Sequence, residues 1–406
     1  MNKNIKLAVA GAVLAMSATA ANAGIIIPAG EWTLDVNGNV NAFAIMGSAK
    51  DSNDISGGGL ALKKDAASEK SNNSINTGLL PAWLGFTGTT RQNDTDVSFT
   101  ISMQPNVSSN GAAGDSAAPA TLFRQANFTF GDKSWGSIKL GKDIGIFASN
   151  AILNDMTLLG VGGQGVATSG HSTTLGGIGT GYIYAAWKGQ VAYTTPNFNG
   201  FQATVGLTNP NQGIASVGTL TTGTAASTLN QDRFGLEAQA NYSFAQDNFS
   251  GKIWVGGASY KVKPTSTLEY TASAGDIGMN LNAGGVGLTA YYYKGDGVGT
   301  TFMHSNSVSV GGQKRDSDGG YLQATYVLPT KTKVGIAYGV SKLDLATGET
   351  AISTTVKENE RFTAGLYHPL TKHLNLVAEY NKIESTGQTN LKNTSDNVSL
   401  GGILFF

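Results

Sequence analysis

Phe234-Gly235-Leu236-Glu237-Ala238-Gln239-Ala240-Asn241-Tyr242-Ser243-Phe244 alternates in character along its whole length. Phe234, Leu236, Ala238, Ala240, Tyr242 and Phe244 share one parity, and Arg233, Glu237, Gln239 and Asn241 share the other. Successive side chains of a strand point to opposite faces, so this is a strand with one apolar and one polar side. The pattern recurs across the chain. Trp32, Leu34, Val36, Gly38 and Val40 oppose Thr33, Asp35, Asn37, Asn39 and Asn41. Val97, Phe99, Ile101 and Met103 oppose Asp96, Ser98, Thr100 and Ser102, and Phe201, Ala203, Val205 and Leu207 oppose Gln202, Thr204, Gly206 and Thr208.

Several of these strands run to about ten residues, the length of a tilted membrane crossing. Soluble strands average about five or six. Connections alternate in length. Short ones fall at Gln92–Thr95, Asp132–Ser134, Thr195–Asn199, Ala245–Asn248, Gly284–Gly285, Pro329–Thr332 and Pro369–Lys372. Long ones fall at Gly47–Gly78, Pro105–Ala120, Asp143–Thr180, Asn209–Asp232, Gly295–Asp318, Leu345–Lys357 and Glu384–Ser395. Short turns on one side and long loops on the other are the habit of outer-membrane barrels. The count is sixteen antiparallel strands, closed because hydrocarbon satisfies no unpaired strand edge. Val398, Leu400, Gly402, Leu404 and Phe406 should pair with the first strand. The tenth strand changes phase between Leu268-Tyr270-Ala272 and Ile277-Met279-Leu281, which predicts a bulge near Gly275.

Composition supports this class. Charged residues make up 13%, Gly numbers 55, Pro 9 and Cys zero. Aromatics persist throughout, unlike a disordered chain. Lys3 and Lys6, the apolar run Leu7–Ala15 and Ala21-Asn22-Ala23 read as a secretory signal peptide over residues 1–23, with a barrel domain over 24–406. Removing those two lysines from 27 leaves 25 basic residues against 27 acidic, which gives no basic surface for nucleic acid. Beyond the leader no run of 18 apolar residues exists, so membrane helices are excluded.

Short motifs in order point further: Leu84-Gly85-Phe86-Thr87-Gly88, Trp135-Gly136-Ser137-Ile138-Lys139-Leu140-Gly141-Lys142, Tyr193-Thr194-Thr195-Pro196-Asn197-Phe198-Asn199-Gly200-Phe201, and the final Phe406. Together they resemble the general porins of Gram-negative bacteria. That resemblance implies an outer-membrane trimer of sixteen-stranded barrels, set among outer-membrane lipid and lipopolysaccharide. It implies that the third loop, Asp143–Thr180, folds into the pore, and that Phe406 is read by the barrel-assembly machinery. Lys142 sits where the family has a basic constriction residue, and Asp155 is one of few acids on the loop. Trp83 stands where the family often has arginine.

The polar parity of the strands supplies further pore-lining candidates: Asp35, Lys188, Arg233, Glu237, Lys333, Arg361 and Glu379. A pore selects by its width and by the charge that lines it. Basic residues outnumber acids here, so the lean is towards anions or weak selectivity. Strict alternation puts Lys142 with Ile138 and Leu140, and a bulge at Gly141 would be needed to turn it inward.

Other chemistry is weakly signalled. Gly160-Val161-Gly162-Gly163-Gln164-Gly165 has the spacing of a dinucleotide loop but lacks its strand-helix setting. Asp316-Ser317-Asp318-Gly319 is a fragment of a calcium loop, and reads as solvated outer loop. His171, His304, His368 and His373 show no zinc spacing. No enzyme activity, cofactor or metal is expected. Aromatics near strand ends, such as Tyr193, Phe201, Tyr242, Phe249 and Tyr326, suggest an interfacial girdle. The expected function is passive diffusion of small hydrophilic solutes and ions. The alternatives are a solute-selective channel for an anion or small acid, and a secreted adhesive β-protein.

Overall fold

A computed structural model describes residues 24–105, 121–164, 173–210, 231–263 and 268–406. Eighteen strands form one antiparallel sheet. They are β1 (Ile25–Ala29), β2 (Trp32–Ala49), β3 (Ser71–Asn76), β4 (Trp83–Gln92), β5 (Thr95–Pro105), β6 (Thr121–Asp132), β7 (Gly136–Ile144), β8 (Trp187–Thr194) and β9 (Phe201–Thr208). There follow β10 (Gly235–Gln246), β11 (Phe249–Val262), β12 (Tyr270–Ala283), β13 (Val286–Asp296), β14 (Asp316–Val327), β15 (Lys333–Leu343), β16 (Val356–Pro369), β17 (Leu374–Gly387) and β18 (Lys392–Phe405).

β2 and the fifteen strands from β4 to β18 are the sixteen staves. Each pairs with the next, and β18 returns to β2 from Ser395↔Ala49 down to Phe405↔Asn39. The two extra strands complete staves already present. β1 pairs with the lower part of β2, Ile25↔Val36 to Ala29↔Trp32, directly below the end of β18. β3 pairs with the upper part of β2, above β4. No helix among the described residues is long and apolar enough to cross a membrane; the strands do the crossing.

The predicted alternation holds on every stave but the tenth. Phe86, Ile101, Phe128, Val191, Leu207, Leu236, Ile253, Leu288, Leu322, Ile336, Leu366 and Leu400 are all exposed, stave after stave. An apolar belt of this kind is stable only against hydrocarbon. The girdle residues Tyr193, Phe198, Phe201, Tyr242, Phe249 and Tyr326 are also exposed, close to the short turns. The first of those turns is a two-residue hairpin in which Asn93 and Asp94 both take positive φ.

Three local expectations change. β12 pairs with β11 and β13 without a register shift, so there is no bulge at Gly275. Tyr270 and Ala272 face inward and are buried, because loop residues Val298 and Met303 pack against that part of the wall. The connection placed at Glu384–Ser395 is only residues 388–391, since β17 and β18 extend past the belt. Asp316–Gly319 opens β14 rather than lying in a loop, with Asp318 opposite Lys294.

Candidate functional site

We number the long connections L1 (residues 50–82), L3 (145–186), L6 (297–315) and L7 (344–355). L3 leaves β7, enters the barrel and carries two short turns, α1 (Ser149–Leu153) and a 3-10 turn (Met156–Leu159) capped by the Asp155 side chain. Inside a barrel the loop's amides have no ladder to pair with, so wall side chains must satisfy them.

Three wall charges do most of this. On β10, Glu237 Oε2 accepts from the amides of Ile146 at 2.7 Å and Phe147 at 2.9 Å. Its Oε1 accepts from Lys188 Nζ at 2.7 Å, Tyr260 Oη at 2.7 Å and Thr208 Oγ1 at 3.2 Å. On β17, Glu379 Oε2 accepts from the amides of Val161 at 3.0 Å and Gly162 at 2.8 Å, while Tyr367 Oη donates to Oε1 at 2.7 Å. A side chain at Gly160 would place its Cβ 1.9 Å from that carboxylate, so only glycine permits the approach. The spaced glycines around residue 160 therefore serve a wall contact. On β16, Arg361 lies 3.5 Å from Asp155 and donates to Thr180 at 3.2 Å. Asp155 also accepts from the Gly177 amide at 2.9 Å and from Tyr182 Oη at 2.8 Å.

Further wall groups on the intervening staves add to the grip. Gln323 of β14 accepts from the Met156 amide at 2.6 Å and donates to the Asn154 carbonyl at 3.1 Å. Tyr321 donates to the Ala151 carbonyl at 2.8 Å, and Lys252 of β11 donates to Asn150 Oδ1 at 2.7 Å. Beneath α1, Phe147, Ala148 and Ala151 pack with Trp254, Tyr260, Tyr291, Tyr293 and Tyr321 in one buried cluster. L3 is thus sealed against β10–β17, reaches Asn397 of β18 and packs on Phe43 and Ile45 of β2, and open wall remains along the turn half of β2 and along β4–β7.

The predicted residues separate accordingly. Lys188, Glu237, Asp155, Arg361 and Glu379 come together as buried anchors of L3 rather than as free pore charges. Lys333 faces inward at the turn end of β15, with its ammonium 5.0 Å above the Tyr367 ring. Asp35 and Trp83 face the open lumen from β2 and β4, and Trp83 Nε1 donates to Asn37 at 3.3 Å. Arg233 is exposed at the outer end of β10 and joins none of these groups.

Lys142 is a correction. It pairs with Ala126 two rungs from the exterior pair Leu140↔Phe128, without a register shift, and its ammonium donates to the Phe123 carbonyl at 2.8 Å. It lies on the outer face, as alternation required, and there is no bulge at Gly141.

Sequence reasoning missed several lumen groups. Lys139 shares the inner face with Asp143, 2.5 Å away. Lys252 and Asp276 also face inward, and inward parity on β11 and β12 was the available signal. It missed L1 as well. The amides of Leu60 and Ala61 donate to Ser385 Oγ, both at 2.9 Å, and that of Leu62 to Ser395 Oγ at 3.0 Å. L1 therefore also folds into the mouth, along β17 and β18.

A closed barrel with an apolar exterior, a polar lumen and an internal loop across it is an outer-membrane channel. A family model for Gram-negative porins matches residues 8–388, and the chain belongs to that family. No curated protein matches. Solved structures share the fold at low identity. The outer membrane channel DcaP of Acinetobacter baumannii is 16% identical, with 95% of this chain and 100% of that chain covered and a TM-score of 0.65. An anion-selective porin from Comamonas acidovorans is 15% identical, with 93% and 100% covered and a TM-score of 0.60. Salmonella typhi OmpF, solved in complex with daunomycin, is 14% identical, with 94% and 100% covered and a TM-score of 0.57. The protein is a multi-pass outer-membrane porin, and the adhesive alternative is set aside.

Proposed function

We propose that the channel passes small hydrophilic solutes and ions passively, with a preference for anions. One asymmetry carries this reading. The inward carboxylates of Asp143, Asp155, Glu237, Asp276 and Glu379 are buried behind hydrogen bonds or loop packing. The inward cations Arg124, Lys139, Lys252 and Lys333 are only half-buried. Lys252 and Lys333 have no carboxylate within ion-pair distance among the described residues. A permeating ion therefore meets ammonium and guanidinium groups before it meets carboxylates. Asp35 and Asp96 are the half-buried exceptions, and Asp96 is ion-paired with Arg91.

Reversal potential in a planar bilayer under a potassium chloride gradient tests this. The sign should report chloride preference, and Lys252→Glu should move it towards potassium. Cation preference in the wild type, or an unmoved potential in the variant, ends the reading.

A second reading keeps the fold and adds a binding site for a small organic acid. L1, L3 and L6 converge at the mouth, where a Cβ on Gly179 would meet Leu60 and Thr301. Such crowding favours a site over a wide hole. Conductance block that saturates with one carboxylate solute would distinguish it.

Membership of the porin family, rather than of any hydrolase class, supports transport without catalysis. The same reading includes a homotrimer, contacts with lipopolysaccharide, and delivery by the barrel-assembly machinery through the Phe406 end. It leaves no role for a cofactor or for nucleic acid.

A further inference from the structure

Asp276 keeps one buried oxygen without a partner but accepts from Tyr291 Oη on the other, whereas among the described residues nothing satisfies Asp35. Its Oδ1 is buried and has no hydrogen-bond partner, whereas each of the L3 anchor carboxylates accepts several donors. An unpaired buried carboxylate oxygen is costly, and its persistence calls for a donor.

The nearest backbone is Gly24. A Cβ there would lie 2.0 Å from Asp35 Oδ1 and 2.8 Å from its Cγ, so any larger residue would have to push the carboxylate aside. Ordinary covalent geometry puts a backbone nitrogen about 2.5 Å from its own Cβ, so the Gly24 nitrogen lies within about 4.5 Å of that oxygen. The position is held by a ladder, since Ile25 pairs with Val36 and Ile26 with Asp35. Gly24 is also the first residue after Ala21-Asn22-Ala23, the small-x-small stretch where leader cleavage is expected.

We propose that Asp35 is the receptor for the α-ammonium of Gly24 created by cleavage after Ala23. Hydrolysis of the Ala23–Gly24 peptide by a leader peptidase consumes one water. It leaves a carboxylate on Ala23 and a protonated amine on Gly24. An amide nitrogen has one fixed N–H, but an ammonium has three rotatable donors and a charge, and a charge-assisted bond is about twice as strong as a neutral one. Processing thereby locks β1 beneath β18. It also cancels the Asp35 charge, so Asp35 positions the N-terminal strand and does not tune ion selectivity. This does not depend on the anion reading, which is tested by other residues.

The test uses full-length protein extracted from outer membranes in detergent. Intact mass identifies the first residue, and the amine is then labelled with an N-hydroxysuccinimide acetate. Expected results are a chain beginning at Gly24, labelling at least tenfold slower in the folded than in the urea-unfolded protein, and loss of that protection in folded Asp35→Asn. A different first residue overturns the proposal, as does equal labelling of folded and unfolded wild type. Protection that survives Asp35→Asn gives the amine another acceptor and overturns it too. If Asp35→Asn yields no folded form, a pH series on the wild type decides. Half-labelling well above the ordinary α-amine range of about 8 supports the pair, and half-labelling within that range overturns it.

Discussion

Glu237 shows how much one inward side chain carries. Its carboxylate takes five donors, two of them L3 amides and one the buried ammonium of Lys188. Glu237→Gln keeps the shape but leaves Lys188 buried without a counter-charge. Breaking a buried pair in this way costs about 3–5 kcal/mol. The temperature at which the folded, detergent-resistant band converts to the unfolded one should fall, and single-channel current should become noisier as the start of L3 loosens. Adding Lys188→Met to Glu237→Gln should recover part of the loss, because the orphaned charge is then gone. Unchanged thermal conversion in Glu237→Gln would show that the loop is held elsewhere. Parity alone put Lys188, Glu237, Lys333, Arg361 and Glu379 on the inner face. What it did not show is that most of them are consumed by L3. Glu379 meets amides 217 and 218 residues away, and no local pattern encodes that meeting. Lys142 makes the complementary point. A family position suggested the constriction, but the two-residue period of its own strand decided the matter.

At the scale of elements, L6 is seated through His304, which is fully buried. One ring nitrogen lies 2.8 Å from the Pro210 carbonyl, and the ring meets Tyr260 edge-on with centroids 5.2 Å apart. Burial pulls its pKa down to about 4 from an ordinary 6.5, with nearby Lys188 adding to the fall, against upward pulls from the Pro210 and Gly297 carbonyls and from Glu237. A base whose folded pKa is depressed contributes fully above its ordinary value and loses that contribution as pH falls towards the depressed one. The seat of L6 should therefore weaken from about pH 6.5 downwards. Hydrogen exchange over residues 297–315 should accelerate between pH 6.5 and 4 in the wild type and stay flat in His304→Phe. Wild-type exchange that ignores pH in that window would count against the seat. L1 is tied differently, and Ser385→Ala should free the Ala61 amide, which a rise in its exchange would report, while the Leu60 amide keeps Asn359 Oδ1 at 3.1 Å. The staves were legible because a period of two is a strong local signal. The tenth was misread where loop residues pack inside the barrel and both faces become apolar, so alternation lost its meaning there. The inward path of L1 had no periodic signature at all.

At the scale of the whole molecule, the barrel is turned inside out relative to a soluble protein, and adjacent residues on one stave test this directly. On β14, Leu322 is 67% exposed and points outward, while Gln323 points inward and holds both Met156 and Asn154 of L3. Leu322 lies four residues above Tyr326 of the girdle, near the middle of the belt. Arginine on the lipid face at that depth costs about 2–4 kcal/mol. Leu322→Arg should lower the yield of folded barrel in vesicles and the denaturant midpoint, with little change in the conductance of the molecules that do insert. Gln323→Arg faces water and protein, so it incurs no bilayer cost. It instead displaces the two L3 hydrogen bonds, so it should leave insertion intact and change conductance and reversal potential. The two variants place the same side chain one residue apart and should fail in opposite assays. A soluble barrel with a solvated exterior would tolerate Leu322→Arg in both assays, and that outcome would remove the membrane from the account altogether.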